Sequence, residues 1–311
     1  MADPRSCRWP LTAAISVLLA VLAVQPLFSH GKSSSSGGAG YHDTAPYENI
    51  DVVHVVFASH LDVGWALPGA TADLTVSKYA IQVINQYFQV FFPQALSTAA
   101  ELKARGYKYS FTSYPWLLSL YLDCPANQNI TCPSTTTCPV GSCTLACPTA
   151  IEREQLKNAL AEGAITWQGH PFEIFPELMD PSLYKYGLSL SKDLAKYHGG
   201  TTTLTASNRD VPGMTQGVIP LLRQAGIRAL SIGSNGEVVA PATPPVFWWQ
   251  IPDSKERLLV FWHPGGYGGI RQGDAVVIPD FRQALVTFFS GDNAGTITAE
   301  NVLEILALLR A

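Results

Sequence analysis

His60 and Asp62 stand two residues apart just past a β-branched run at 51–58 (DVVHVVFA). In an extended backbone both side chains leave on the same side, so one imidazole nitrogen and one carboxylate oxygen can reach a single cation. Asp210, in Asn208-Arg209-Asp210-Val211-Pro212-Gly213, would supply a third ligand. Three protein ligands of this mixture suit a catalytic zinc, which keeps a further position open for substrate oxygens. A plainer reading competes: His-x-Asp recurs by chance, and an Asp at a strand end is often only the N-cap of the next helix. Trp65 adds an aromatic face on which a sugar ring can stack, although an isolated Trp is more often core. His170 and Glu173, in Trp167-Gln168-Gly169-His170-Pro171-Phe172-Glu173, read either as hydrogen-bond partners that orient metal ligands or as polar residues of a solvated loop.

The spacing of apolar residues predicts the elements that carry these groups. A strand at 51–58 leads into a helix over 72–105, with Ile81, Ile84, Phe88 and Phe91 on one face, a break at Pro93 and closure at Gly106. A strand at 108–111 follows. Past a Cys-rich segment comes a helix opened by the capping box Thr149-Ala150-Ile151-Glu152 and closed at Gly163. Strands are predicted at 164–167, 202–205, 227–232, 247–251 and 258–262, and helices at 182–197, 213–225, 279–289 and 298–310. Strands alternating with helices imply βαβ crossovers, hence an α/β fold with a parallel sheet or barrel. In such folds the site lies at the carboxyl ends of the strands, where the His60, His170 and Asp210 segments all fall.

Of the 311 residues, 47% are hydrophobic and 14% charged, which excludes bulk disorder and a disulfide-only scaffold. A net charge of −4, from 20 basic and 24 acidic residues without a basic run, leaves no electrostatic footprint for nucleic acid. Arg5 and Arg8 precede an apolar stretch from Leu11 to Val24, so residues 1–28 read as a cleaved secretory signal or, as the other reading, a signal anchor. Residues 29–48 form a flexible Ser/Gly-rich linker, and residues 49–311 the folded unit. Both readings send the chain into the secretory pathway, as a secreted or luminal protein of lysosome, Golgi or extracellular space. Membrane contact is expected only through such an anchor.

Cys7 lies in the signal, whereas Cys124, Cys132, Cys138, Cys143 and Cys147 crowd an insertion at 121–149. In an oxidising compartment these form a stapled loop with one thiol left over. A zinc knuckle is the weaker reading, because the spacings lack C-x-x-C pairs and the cluster holds no His. Asn129-Ile130-Thr131 in the same loop is an N-glycosylation sequon.

Ser59-His60-Leu61-Asp62-Val63-Gly64-Trp65 resembles the metal-binding S-H-x-D-x-G-W motif of the glycoside hydrolase family 38 α-mannosidases. Residues 166–182 resemble that family's segment with an acidic pair, and Asp210-Val211-Pro212-Gly213 with residues 219–227 resembles its nucleophile segment. Phe261-Trp262-His263-Pro264-Gly265-Gly266-Tyr267 falls where the family has a His followed by a Tyr-bearing loop. The resemblance spans about residues 51–269 and is similar to a divergent branch of the family. It implies a seven-stranded parallel β/α barrel and a retaining glycosidase that uses Zn2+ on an α-mannoside or related glycan. It makes His60 and Asp62 zinc ligands, Asp210 both ligand and nucleophile, and Trp65 the platform under the sugar. His170, Arg209, His263 and Tyr267 are the further residues expected to touch substrate.

The chain departs from the family pattern at Val63, where the family has Pro, and at Ser207-Asn208-Arg209, which replace an apolar stretch. Arg209 then suggests a different glycan or a lapsed activity. The family's general acid and last His ligand lie downstream of the nucleophile segment and have no counterpart by motif. Glu173, Glu177, Asp180 and Asp274 are acid candidates only as carboxylates. The expectation is therefore an N-terminal, incomplete portion of a barrel. Two alternatives stand beside it. One is a metal-dependent polysaccharide deacetylase, weakened because no two His lie four apart; the other is a non-catalytic secreted sugar-binding protein.

Overall fold

The computed structural model describes residues 49–62, 81–124, 144–211, 213–235, 238, 239, 241–263, 266, 267, 269, 274–291 and 293–310. The signal, the linker, Trp65 and the sequon at Asn129 lie outside the described residues. The strands are β1 (Val52–Phe57), β2 (Phe111–Ser113), β3 (Ile165–Trp167), β4 (Thr205–Val211), β5 (Ala229–Ser234), β6 (Val246–Gln250), β7 (Arg257–Trp262), β8 (Val276–Ile278) and β9 (Gln283–Phe288). The α-helices are α1 (Phe92–Ala104), α2 (Pro115–Leu122), α3 (Ala150–Glu162), α4 (Pro181–His198), α5 (Val218–Gln224) and α6 (Ala299–Leu308).

The α/β class holds, but the ladders among the described residues form three sheets rather than one seven-stranded parallel barrel. Their orders are β1-β9-β8, β2-β3 and β4-β5-β7-β6, with β6 and β8 antiparallel to their neighbours. The β2-β3 sheet is short because Pro115, in the first turn of α2, stands two residues past the end of β2 and cannot donate to a ladder. Single contacts join the sheets. A parallel bridge links Ala58 to Thr112, and Gly169 N–H donates to Thr205 O at 2.8 Å. Gly169 permits that approach, since a Cβ there would sit 2.6 Å from Ile227 Cδ1.

Helices cover the sheets through two main cores. One packs α1, α2, α3 and α6 over β1, β2 and β3 around Phe92, Leu117, Leu156 and Ile305; the other packs α4 and α5 over β4, β5 and β7 around Tyr184, Ile219, Leu230 and Leu258. The Thr149–Glu152 capping box and left-handed Gly163 delimit α3 as expected.

Pro93 does not break its helix. It sits in the first turn of α1, and the preceding turn, Tyr87–Phe91, widens to π geometry, with Phe92 N–H reaching back to Tyr87 O. That widening accommodates a ring that would otherwise clash with the carbonyl four residues back. The larger correction is at 279–289, expected as a helix. It forms a short 3₁₀ turn and then β9, which pairs in parallel with β1 from Val52↔Gln283 to Phe57↔Phe288. Ala284, Leu285, Val286 and Thr287 are buried in succession, as a strand covered on both faces requires.

Cys124 and Cys147 form a disulfide across 23 positions, while the other three cysteines of the insertion lie outside the described residues. Closing a loop of that length removes enough denatured-state entropy to stabilise the fold by about 3 kcal/mol. Cys124→Ser is expected to cost that amount in urea unfolding; a loss below about 0.5 kcal/mol would show that the loop contributes nothing through its closure.

Candidate metal and catalytic site

β1 delivers His60 to the carboxyl end of the sheet, where its side chain is fully buried. Tyr87, from the π turn, holds the backbone there by donating its hydroxyl to His60 O (3.3 Å) and Ala294 O (3.0 Å). The edge of the His60 ring meets Tyr267, centroids 4.9 Å apart. His60 Nε2 faces Asp62 Oδ1 at 3.2 Å and Asp210 Oδ2 at 3.9 Å, and Nδ1 faces Glu173 Oε1 at 3.6 Å. Neither ring nitrogen has an aligned hydrogen-bond partner. The three carboxylates therefore surround the imidazole without saturating it.

Asp210 reaches this point through an irregularity. The β4–β5 register shifts between Asn208 and Val211, and Asp210 takes φ +57°, a left-handed conformation rare outside Gly and Asn. The bulge turns its carboxylate toward His60. Asn235, just past β5, donates Nδ2–H to Asp210 Oδ1 (2.5 Å), leaving Oδ2 on the His60 side. Asp62 is held in a parallel way. Its backbone N–H donates to Asn293 Oδ1 (2.8 Å), and Asn293 Nδ2 approaches Oδ2 (3.5 Å), leaving Oδ1 toward His60. Two asparagines thus fix one oxygen of each carboxylate and free the other.

One donor atom each from His60, Asp62 and Asp210 lie within 4.8 Å of one another, the one such group of three among the described residues. A buried imidazole nitrogen without a hydrogen bond, flanked by two free carboxylate oxygens, is the donor set a divalent cation takes. Burial pulls the His60 pKa down, but the adjacent Asp62 and Glu173 outweigh it and lift it to about 10. In the metal-free chain the imidazolium supplies the positive charge that these carboxylates need; a bound cation would take over that part.

Glu173 stands behind the group. Its side chain is 4% exposed and accepts from Tyr114 Oη (2.6 Å) and from the Arg209 backbone N–H (2.7 Å) while facing His60 Nδ1. That is the place of a carboxylate that orients a metal-bound imidazole. Both its oxygens are engaged, so it is not placed to protonate a leaving group. Two of the other acid candidates are committed elsewhere: Glu177 accepts Thr215 N–H, and Asp180 caps α4.

Three residues expected to touch substrate are instead internal. His170 has both ring nitrogens engaged, Nδ1 with Ser207 O (2.9 Å) and Nε2 with Tyr184 Oη (2.8 Å), and burial lowers its pKa. Arg209 is fully buried; Nη2 donates to Ser231 Oγ (2.6 Å), and burial lowers the guanidinium pKa to about 10, so it stays charged. Ser231 Oγ, accepting from Arg209, turns its own proton to His263 Nε2 (3.0 Å), whose pKa is pushed far down by burial and by Arg209. Tyr267 alone of the four reaches the metal-ligand group. Tyr114, Asn235 and Asn293 were not anticipated. Tyr114 and Asn235 immediately follow β2 and β5, so the strand-end rule would have found them had those strands been bounded correctly.

An α-mannosidase from Enterococcus faecalis V583 superposes on this chain with a TM-score of 0.55 at 13% identity, covering 82% of the chain. The chain has an α-mannosidase-type fold. It spans 26% of that protein's length. A glycosyl hydrolase family 38 protein from Enterococcus faecalis superposes at 0.45 with 12% identity, over 84% of this chain and 25% of that one. A family 57 branching enzyme from Thermococcus kodakaraensis gives 0.38 at 13% identity, over 69% of this chain and 47% of that one. The sequence matches no protein-family model and no curated protein. The mannosidase-type fold thus agrees with the resemblance carried by the motifs.

Proposed function

We propose that this chain is the metal-binding portion of a zinc-dependent, retaining α-mannosidase-like glycosidase acting on a mannoside or related glycan. One observation carries the reading: His60, Asp62 and Asp210, brought from β1 and β4, converge at the carboxyl ends of the strands. Its framework is a seven-stranded β/α barrel. The parallel pairs β1·β9, β2·β3, β4·β5 and β5·β7 support that ring, with β6 and β8 as antiparallel additions at its edges. We also propose a secretory location behind a signal or anchor at 1–28, followed by the linker at 29–48. The Cys124–Cys147 bridge supports this, because such bonds persist in oxidising compartments.

Zinc held by His60, Asp62 and Asp210 would bind adjacent sugar hydroxyls and stabilise charge on their oxygens. Asp210 serves as the nucleophile toward the anomeric carbon, with Asn235 orienting its carboxylate. Tyr267, against His60, forms part of the wall, and the role of stacking platform for the sugar is assigned to Trp65 by residue type. Glu173 keeps the His60 ring oriented, and the buried Arg209 offsets the local negative charge.

A second reading, sugar binding without hydrolysis, has its own support: Glu173, Glu177 and Asp180 are bound to protein partners, so none of them stands as a free acid. Both readings are tested with aryl α-mannosides. The first expects aryl release that Asp210→Asn lowers at least a thousandfold. Mannoside binding without turnover favours the second, and hydrolysis surviving Asp210→Asn removes Asp210 as nucleophile. Acetate release without glycoside cleavage would favour the deacetylase alternative.

A further inference from the structure

A cavity of about 240 Å³ lies between the three sheets, walled by β1, β2, β3, β4, β5 and β9. His60, Asp62 and Asp210 do not line it. Its inner end touches Ser59, Tyr114 and Phe289, near the carboxyl ends of the strands. Its outer end is rimmed by Gly163 and by the exposed Thr201 and Thr202, which precede β3 and β4. A ligand entering there need not cross the metal site.

Space between parallel strands of this kind is ordinarily filled by bulky branched side chains. Here twelve of the twenty lining residues are Ser or Thr, and no charged or imidazole side chain is among them. Each hydroxyl both donates and accepts, while the Thr methyls, Trp167 and Phe289 present apolar faces. Gln168 joins the β3 and β4 walls: its Oε1 accepts from His170 N–H (2.7 Å) and Ser207 N–H (2.9 Å).

We propose that the cavity is a second binding site, for a small neutral polyhydroxylated molecule of monosaccharide size or less, held by the Ser and Thr hydroxyls of its wall. The absence of charge on the lining disfavours an anion, and the alternation of hydroxyl and methyl groups matches a polyol's own surface. At about 240 Å³ it is smaller than the roughly 300–1,000 Å³ that hold drug-sized ligands. This inference does not rest on the glycosidase reading.

The test is saturation-transfer NMR on the full chain with glycerol and myo-inositol as probes. Transfer to at least one probe is expected. It should persist in Asp210→Asn and fall at least tenfold in affinity in Ser207→Leu, which fills the cavity. Thr112→Val with Thr166→Val removes two hydroxyls that bond each other at 3.1 Å at nearly constant volume, and it should weaken binding several-fold even if Ser207→Leu fails to fold. No transfer to either probe overturns the proposal. So does transfer lost in Asp210→Asn yet intact in the cavity variants, which would place the polyol at the metal site.

Discussion

Asp210→Ala is expected to lower bound zinc from about one ion per chain to below a tenth, read by elemental analysis after dialysis against limiting chelator. The effect is large because Asp210 is one of three ligands and reaches the site only through a strained, bulged backbone. Stability should follow. At zinc concentrations near 100 times Kd the wild-type chain gains about 2.7 kcal/mol, or roughly 4–5 °C in Tm for a chain of this size, and the variant gains none. Asn235→Ala, which removes the amide holding Oδ1, should weaken zinc roughly 10–100-fold without abolishing it. Unchanged metal content in an Asp62→Ala, Asp210→Ala double variant would falsify the assignment of the site.

Glu173→Ala is expected to be the most destabilising single change among the described carboxylates, at about 3–5 kcal/mol in urea unfolding. Its carboxylate receives Tyr114 Oη and the Arg209 backbone, faces His60, and is the negative charge that raises the fully buried Arg209 against the pull of desolvation. Removing it leaves that guanidinium inside with Ser231, a carbonyl and the face of Phe289 for partners, and no negative charge. An exposed ion pair behaves differently. Glu154→Ala, breaking the surface contact with Lys157 at 3.7 Å, should change stability by no more than about 0.5 kcal/mol. Equal losses in the two variants would mean that Glu173 is not buried as described. Glu173→Gln keeps the shape of the side chain and so isolates the metal effect, with zinc weakened roughly 10–100-fold.

Local signals were legible wherever a residue's own chemistry sets the backbone. The capping box at Thr149–Glu152, the stop at Gly163, the strand of 52–57 and the pairing of His60 with Asp62 all follow from short-range rules. Failures cluster where tertiary burial overrides local pattern. Residues 207–210 fall past the end of the strand expected at 202–205, yet they belong to β4, because Asn208 and Arg209 are polar groups satisfied inside the protein. Residues 283–288 read as helix, yet β1 supplies a ladder and both faces are covered. His170, Arg209 and His263 are expected at the substrate under the family resemblance. The fold gives them internal partners instead.

The three metal-ligating candidates could be named from residue type and spacing alone, since a His-x-Asp at a strand end and an Asp at another carry their chemistry in their side chains. Where those atoms meet could not be named that way. Asp62 and Asp210 are 148 positions apart, and their convergence depends on a bulge in β4 and on two asparagines, at 235 and 293, that choose which carboxylate oxygen stays free. Long-range geometry of this kind arises only when strands pair. The same holds for the hydroxyl-lined cavity, whose Ser and Thr residues are scattered from 59 to 287 and become one wall when the sheets close around it.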